Sequence, residues 1–135
     1  MKIHLPLIVK ALQNMLASND FVVVWMHTSA GQEHQIGKAR AIEQSDDCID
    51  IAYEWSIRVE PNGQNGTTAN WRIVPFSQTE NRSVRISSPF VKKQTEAEIR
   101  LIEPGGDDFI ICIDAQRVLE AIKIKTKYDE QHSRS

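Results

Sequence analysis

The sequence predicts an α+β fold in which an N-terminal helix precedes an antiparallel meander sheet of about six or seven strands and a C-terminal helix packs on the sheet. Three observations predict this class. Between Cys48 and Glu60 every second residue is apolar, the pattern of a long β-strand with one buried face. Near both ends of the chain, apolar residues recur instead at the spacings of three and four that mark an amphipathic helix. Between these segments, short alternating stretches are separated by turn residues, which favours a meander.

Length and composition are those of one globular domain. The chain has 135 residues, of which 41% are hydrophobic and 25% charged, so it is long enough to bury one core. We expect residues 1–128 to form a single domain and residues 129–135 a flexible polar tail. The N-terminus lacks the apolar run of a secretory signal, and no stretch is long enough to span a bilayer. We therefore expect a cytoplasmic protein with no membrane partner.

The first third of the chain predicts a helix and a buried strand. Residues 5–18 carry one apolar stripe, and Pro6 suits the first helical turn, where its missing N–H has no intrahelical partner. The run Phe21–Met26 is β-branched and aromatic without alternation, which predicts a strand covered on both faces.

The middle of the chain predicts a meander around residues 48–60. A strand over Ile36–Glu43 turns through Ser45–Asp47 into this central strand, and residues 61–67 form an exposed loop with two Asn-Gly pairs before a strand over Thr68–Phe76. One face of the sheet is expected to be covered by both helices. The apolar residues of the central strand should lie at that interface: Ile49, Ile51, Tyr53, Trp55, Ile57 and Val59.

The last third predicts three strands and a helix. The strands are residues 83–88, 96–103 and 108–113, and Pro89–Thr95 is expected to be a break between the first two. Asp114 is placed to cap the C-terminal helix, whose apolar stripe is predicted to be Val118, Leu119 and Ile122.

Candidate chemical groups are few, and we predict neither a cofactor nor a metal. Cys48 and Cys112 fall in predicted strands, where isolated cysteines are typically small buried side chains. His27, Ser29, Glu33 and His34 could form a metal pair or an acid–base cluster, but their spacing is not that of a zinc motif. We therefore expect them to form a solvated polar loop.

Charged residues suggest recognition rather than catalysis. Asp46, Asp47, Asp50 and Glu54 are expected on the wetter face of the central strand, where carboxylates ionise normally and could recognise a basic partner. A nucleic-acid site is the alternative. Its candidate residues are Arg40, Arg58 and Arg72 with Trp25, Trp55 and Trp71, or the basic residues Arg117, Lys123, Lys125 and Lys127 of the last helix. Strand parity favours core positions for the tryptophans.

One passage resembles a known family. Residues 83–88, then 97–99, then 111–114 followed by 118–123, are similar to the strand–strand–strand–helix passage of a bacterial DNA sliding clamp domain. The resemblance covers about the last third of the chain, and residues 27–80 have no counterpart in it. It implies a sliding-clamp-like replication protein that binds nucleic acid.

The function that we predict is that of a small non-catalytic protein-binding module, an accessory factor or inhibitor that occupies a surface of another protein or macromolecular complex. The predicted contact residues are Asp50, Glu54, Arg58, Asn62, Gln64 and Asn65. The alternatives are the nucleic-acid-binding or clamp-like protein, and a small-molecule-binding or enzymatic domain with a pocket between helix and sheet. Unpaired sheet edges at the Ile36 or Ser83 strands would also allow a homodimer.

Overall fold

A computed structural model of the chain describes residues 4–28, 34–61, 71–74 and 82–132. These ranges contain two helices and eight strands. In chain order they are α1 (Leu5–Ser18), β1 (Val23–His27), β2 (His34–Ser45), β3 (Cys48–Pro61), β4 (Trp71–Ile73), β5 (Ser83–Ser87), β6 (Phe90–Gln94), β7 (Glu98–Ile102), β8 (Asp108–Cys112) and α2 (Ala115–His132). The α+β class, the antiparallel meander and the two packed helices are confirmed. The predicted break at residues 89–95 is wrong, because most of it is β6.

The strands form a single curved antiparallel sheet. Their order is β4, β3, β2, β1, β8, β7, β6. β5 pairs with the first residues of β3, Cys48–Ala52, on the same edge of β3 that β4 occupies at its other end. Only Ser88 and Pro89 separate β5 from β6, although these strands stand at opposite ends of the sheet order. The sheet must therefore curl until its two ends meet, and Ser88 adopts a left-handed φ of 45° at this corner. The Ser87 N–H donates to Glu103 Oε2 at 2.7 Å, which ties the β5 end to the residue that follows β7.

The sheet carries a separate hydrophobic core on each face. In β1 and β8 successive residues alternate between the two cores, as a pleated strand buried on both sides requires. We call the face covered by Ile8, Val9, Leu12 and Met15 of α1 the α1 face, and the face covered by Ala121 and Ile124 of α2 the α2 face. The prediction that the first strand is covered on both faces is confirmed, and the prediction that both helices cover one face is wrong.

The apolar residues of β3 divide between the two cores. Ile49, Ile51 and Tyr53 pack on the α1 face, whereas Trp55, Ile57 and Val59 pack on the α2 face. The cause is a pair of β-bulges. The β2–β3 register shifts twice, so that Arg40 of β2 and Glu54 of β3 have no partner in the ladder. One extra residue in a strand reverses which face the following side chains meet.

Each helix is held by contacts that its sequence explains. The Gln13 amide donates to the Ile42 carbonyl at 2.8 Å and fixes α1 to β2. Asp114 caps α2 as predicted, since its Oδ2 accepts from the Arg117 N–H at 3.2 Å. The inward side of α2 is formed by Val118, Ala121 and Ile124, whereas Leu119 is 53% and Ile122 40% exposed, so the predicted apolar stripe is only partly correct.

The C-terminal helix continues further than expected. α2 is helical to His132, which includes residues 129–132 of the predicted tail. In the described ranges, neither helix combines the length and the apolar character needed to cross a membrane.

Candidate functional site at the β-bulge

The two bulges build a cleft between α2 and β3. Its volume is about 440 Å³. The cleft is lined by the two bulged residues Arg40 and Glu54, by β3 residues Tyr53, Trp55, Ser56 and Ile57, by Arg82, and by Lys125 and Tyr128 of α2. Bulges release side chains from the regular alternation of a sheet, and they frequently do so beside binding sites. Here, both residues that the ladder leaves out become part of the cleft wall.

The charges around the cleft are only partly balanced. Glu54 Oε2 accepts from Lys38 Nζ at 3.0 Å, and Lys125 pairs with Asp129 of the next helical turn. Arg40 and Arg82 have no ion-pair partner in the part of the chain that the structure describes, and both are exposed. The cleft therefore presents two uncompensated guanidinium groups to solvent.

Two aromatic rings lie within 6 Å of one cation in this cleft. The Lys125 ammonium lies 5.7 Å from the centre of the Trp55 ring and 5.8 Å from the centre of the Tyr128 ring. Trp55 is half-buried and contacts Phe21 edge to face, with ring centres 6.1 Å apart. The prediction that Trp55 is a core tryptophan is thus only partly correct, whereas Trp25 is 1% exposed and fully in the core.

Beside the cleft, the α2 face is open to solvent over β2, β3 and β5. The register places three rows of outward residues there. They are Ala41–Ala52–Ser83, Glu43–Asp50–Arg85 and Ser45–Cys48–Ser87, and we call these nine residues the platform. None of them is buried, although the opposite side of the same strands forms the α1 core. Two of its three rows consist of small side chains, alanine, serine and cysteine.

A charged row crosses the middle of the platform. Arg85 holds Asp50 with two hydrogen bonds, Nε to Oδ1 at 2.7 Å and Nη2 to Oδ2 at 3.3 Å. Their side chains are 60% and 33% exposed, so the pair stays accessible. Glu43 pairs with Asp50 in the β2–β3 ladder and adds a second carboxylate to the row.

The predicted contact residues do not form one surface. Asp50 lies on the platform, and Glu54 lines the adjoining cleft. Arg58 lies on the α1 face, because it follows the bulge and alternates with Ile57 and Val59 of the α2 core. Asn62, Gln64 and Asn65 fall outside the described residues.

The predicted histidine cluster is partly assembled, and the expectation of a solvated loop is wrong for its two histidines. His27 ends β1 and His34 begins β2, and their rings meet edge to face with centres 4.3 Å apart. On the other side of His27, Asp108 of β8 is its ladder partner. Burial and then the charge of His34 lower the pKa of His27 to about 4, and burial also lowers the pKa of His34.

The described part of the cluster consists of the two histidines. Among the described residues, no group of three or more histidine, cysteine or acidic side chains is arranged to hold a metal ion. Asp108 Oδ2 instead accepts a hydrogen bond from Lys92 Nζ at 3.4 Å. Ser29 and Glu33, the other members of the predicted cluster, fall outside the described residues.

The arginines of the nucleic-acid alternative are scattered. Arg40 lines the cleft, Arg58 lies on the α1 face, and Arg72 pairs with Glu60. Trp71 belongs to β4, but its side chain is outside the description. The basic residues of α2 also separate, since Arg117 lies over the Trp25 ring and Lys125 over the Trp55 ring.

The two cysteines are free thiols with different surroundings. Cys112 is buried, as predicted, and burial raises the pKa of its thiol to about 11. Cys48 is half-buried on the platform, where its sulfur lies 3.7 Å from Ser87 Oγ.

The sequence interpretation missed Arg82, Lys125 and Tyr128 as cleft residues. Lys125 and Tyr128 are one helical turn apart on α2, but Arg82 and the β3 residues of the cleft lie far from them along the chain, and no local pattern connects the two groups. One spacing in β2 reflects the bulge: Ala39 and Ile42 are three residues apart and both pack on the α1 face, which an unbroken strand cannot achieve.

Comparison of the chain with protein-family models, curated proteins and solved structures finds no match. The proposed function therefore depends on the geometry of the platform and the cleft.

Proposed function

We propose that this chain is a non-catalytic protein-binding module, an accessory factor or inhibitor that occupies a surface of a partner protein with its platform. The observation that carries the proposal is the open α2 face over β2, β3 and β5. The opposite side of the same strands is buried in the α1 core, whereas nothing in the described fold packs on the platform.

The side chains of the platform suit a protein partner. Alanine, serine and cysteine side chains let a second surface approach closely over a broad area, so that small contacts accumulate. The row Glu43, Asp50 and Arg85 then fixes orientation, because opposite charges across an interface select the partner and its register.

Affinity capture from a cell lysate, with and without nuclease, tests the proposal. The sharpest variant is the charge swap D50R/R85D, which keeps an ion pair on the platform but reverses its direction. We expect it to fold with nearly unchanged stability and to lose at least about tenfold in partner affinity, equivalent to one or two lost charged contacts.

A steric pair of variants provides the matched comparison. Ser83→Arg places a long side chain on the platform, whereas Ala17→Arg places the same side chain on the exposed side of α1. Only Ser83→Arg should abolish capture. Equal capture by both variants and by the charge swap would exclude the platform, and loss of all partners on nuclease treatment would favour the nucleic-acid alternative.

A further inference from the structure

We infer that the cleft at the β-bulge binds a small aromatic anion, a molecule that joins a flat ring to a phosphate or carboxylate group. This site is separate from the platform and is additional to the protein-binding role. Its volume of about 440 Å³ lies within the range of pockets that hold small molecules.

The positive charges that line the cleft indicate that the ligand carries an anionic group. Arg40 and Arg82 line the cleft without an ion-pair partner among the described residues, whereas the acidic residue Glu54 is already held by Lys38. A guanidinium group presents a rigid fork of donors that matches two oxygens of a phosphate or carboxylate. Two such groups at one cleft favour an anion over a neutral or cationic ligand.

The aromatic side chains that line the cleft indicate that the ligand also carries a flat ring. Trp55 of β3 and Tyr128 of α2 each stand within 6 Å of the Lys125 ammonium, measured to the ring centres. A ring that enters beside them gains offset or edge-to-face contacts, while its charged group remains near Lys125. The ring and the anion are thus recognised together.

The bulges show why these groups are available. In an unbroken ladder, Arg40 and Glu54 would oppose residues of the neighbouring strand. Because both are left out of the pairing, Arg40 can turn to the cleft, and Glu54 can reach Lys38. The site is therefore built by the same irregularity that divides the core of β3.

Isothermal titration calorimetry with four defined probes tests the inference. Phenyl phosphate and adenosine 5′-monophosphate carry both a ring and an anion, whereas adenosine and inorganic phosphate each carry one part. We expect each combined probe to bind at least about tenfold more tightly than adenosine or phosphate. A preference for one combined probe then identifies the kind of ring.

Two matched double variants assign the binding to the cleft. R40Q/R82Q removes the uncompensated charges and should weaken the combined probes by about tenfold or more. R85Q/K92Q removes the same net charge outside the cleft, from residues paired with Asp50 and Asp108, and should change affinity by less than about twofold. Trp55→Leu should weaken phenyl phosphate while leaving the weak binding of phosphate unchanged.

Three results would overturn the inference: no heat of binding for either combined probe at millimolar concentration, equal affinity for adenosine or phosphate alone, or equal losses in the two double variants. The outcome is independent of the platform, because the charge swap D50R/R85D should retain the ligand and lose the protein partner.

Discussion

The two halves of β3 have the same sequence pattern and opposite surroundings. From Cys48 to Tyr53 the apolar residues face α1, and the residues between them form the open platform. From Trp55 to Val59 the apolar residues face α2, and the residues between them meet the α1 side. Alternation therefore reports that a residue is buried, but it does not report on which side.

The polar residues of the two halves show the functional consequence. Asp50, in the first half, is accessible and pairs with Arg85. Ser56, in the second half, is buried and its hydroxyl lies 3.4 Å from the amide nitrogen of Gln35, which is also buried. The polar side chain is therefore accessible at Asp50, where nothing in the described fold covers the sheet, and buried at Ser56.

The largest expected effect comes from the contact that joins the two halves. Gly37 pairs with Ser56 of the second half, and the ring of Tyr53 from the first half covers it. A Cβ at Gly37 would lie 2.4 Å from Tyr53 Cε1, so we expect Gly37→Ala to lower the free energy of unfolding by about 3 kcal/mol.

Urea denaturation measures this effect, with Gly105→Ala as the control. A Cβ at Gly105 meets no atom within 4 Å, so this control should shift stability by less than about 0.5 kcal/mol. Similar losses in both variants would contradict the close packing of Tyr53 on Gly37.

The next effect concerns the polar end of the α2 face, where His34 pairs with Val59 of the second half. The folded protein keeps His27 neutral, because its pKa falls from 6.5 to about 4, mainly through burial. The unfolded chain binds this proton more readily, so stability should fall as the pH drops from about 6.5 to about 4 and then stop changing for this group. Allowing for the partial exposure of His27, the loss is on the order of 1–2 kcal/mol.

Thermal denaturation across this pH range checks the expected dependence. His27→Gln should flatten the profile, and His4→Gln, at an exposed histidine, serves as the control for the substitution itself. Asp108 favours the charged form of His27, and Arg100 and Arg117 oppose it, so Arg117→Gln should reduce the slope slightly. A His27→Gln profile parallel to that of the wild type would argue against a buried neutral imidazole.

Additivity provides a direct test of the two-sided strand. Ile51→Val trims the α1 core and Ile57→Val the α2 core, and each should lower the free energy of unfolding by about 1 kcal/mol. Since the sheet separates the two sites, the double variant should equal the sum within about 0.5 kcal/mol.

The comparison is a pair of substitutions that both lie within one core. Ile42 and Ile51 are ladder partners on the α1 face, so the Ile42→Val and Ile51→Val losses should couple by at least about 0.5 kcal/mol. Coupling between Ile51 and Ile57 of the same size would place both halves of β3 in one core and contradict the bulge.

The smallest expected effect is at the Tyr53 hydroxyl. This group is buried without a hydrogen-bond partner in the described structure, and burial raises the pKa of the phenol. Because an unsatisfied hydroxyl costs about 1–3 kcal/mol of desolvation, Tyr53→Phe should be at least as stable as the wild type. By comparison, Ser56→Ala removes the partner of the buried Gln35 amide and should cost about 1 kcal/mol. Denaturation midpoints of the two variants show whether each substitution raises or lowers stability. Destabilisation by Tyr53→Phe would show that the hydroxyl has a hydrogen-bond partner.

Most of the local structure followed from the sequence alone. The helix over residues 5–18, the central strand from Cys48, and the cap at Asp114 depend on nearest neighbours along the chain, and all three are present. The strand β6 was missed because Pro89 and a lysine-rich segment resemble a break, whereas at the end of a sheet lysine side chains are tolerated in solvent.

Tertiary structure decided which face each residue meets, and with it the candidate site. One extra residue in each strand, Arg40 of β2 and Glu54 of β3, reverses the faces that the following side chains meet, although the alternation of β3 looks unbroken in the sequence. Whether a bulge forms depends on the fit of both cores to α1 and α2, which is a property of distant contacts. The sequence therefore determined the elements of this protein and their apolar positions, while the packing of helices on opposite faces determined the platform, the cleft and the residues that form them.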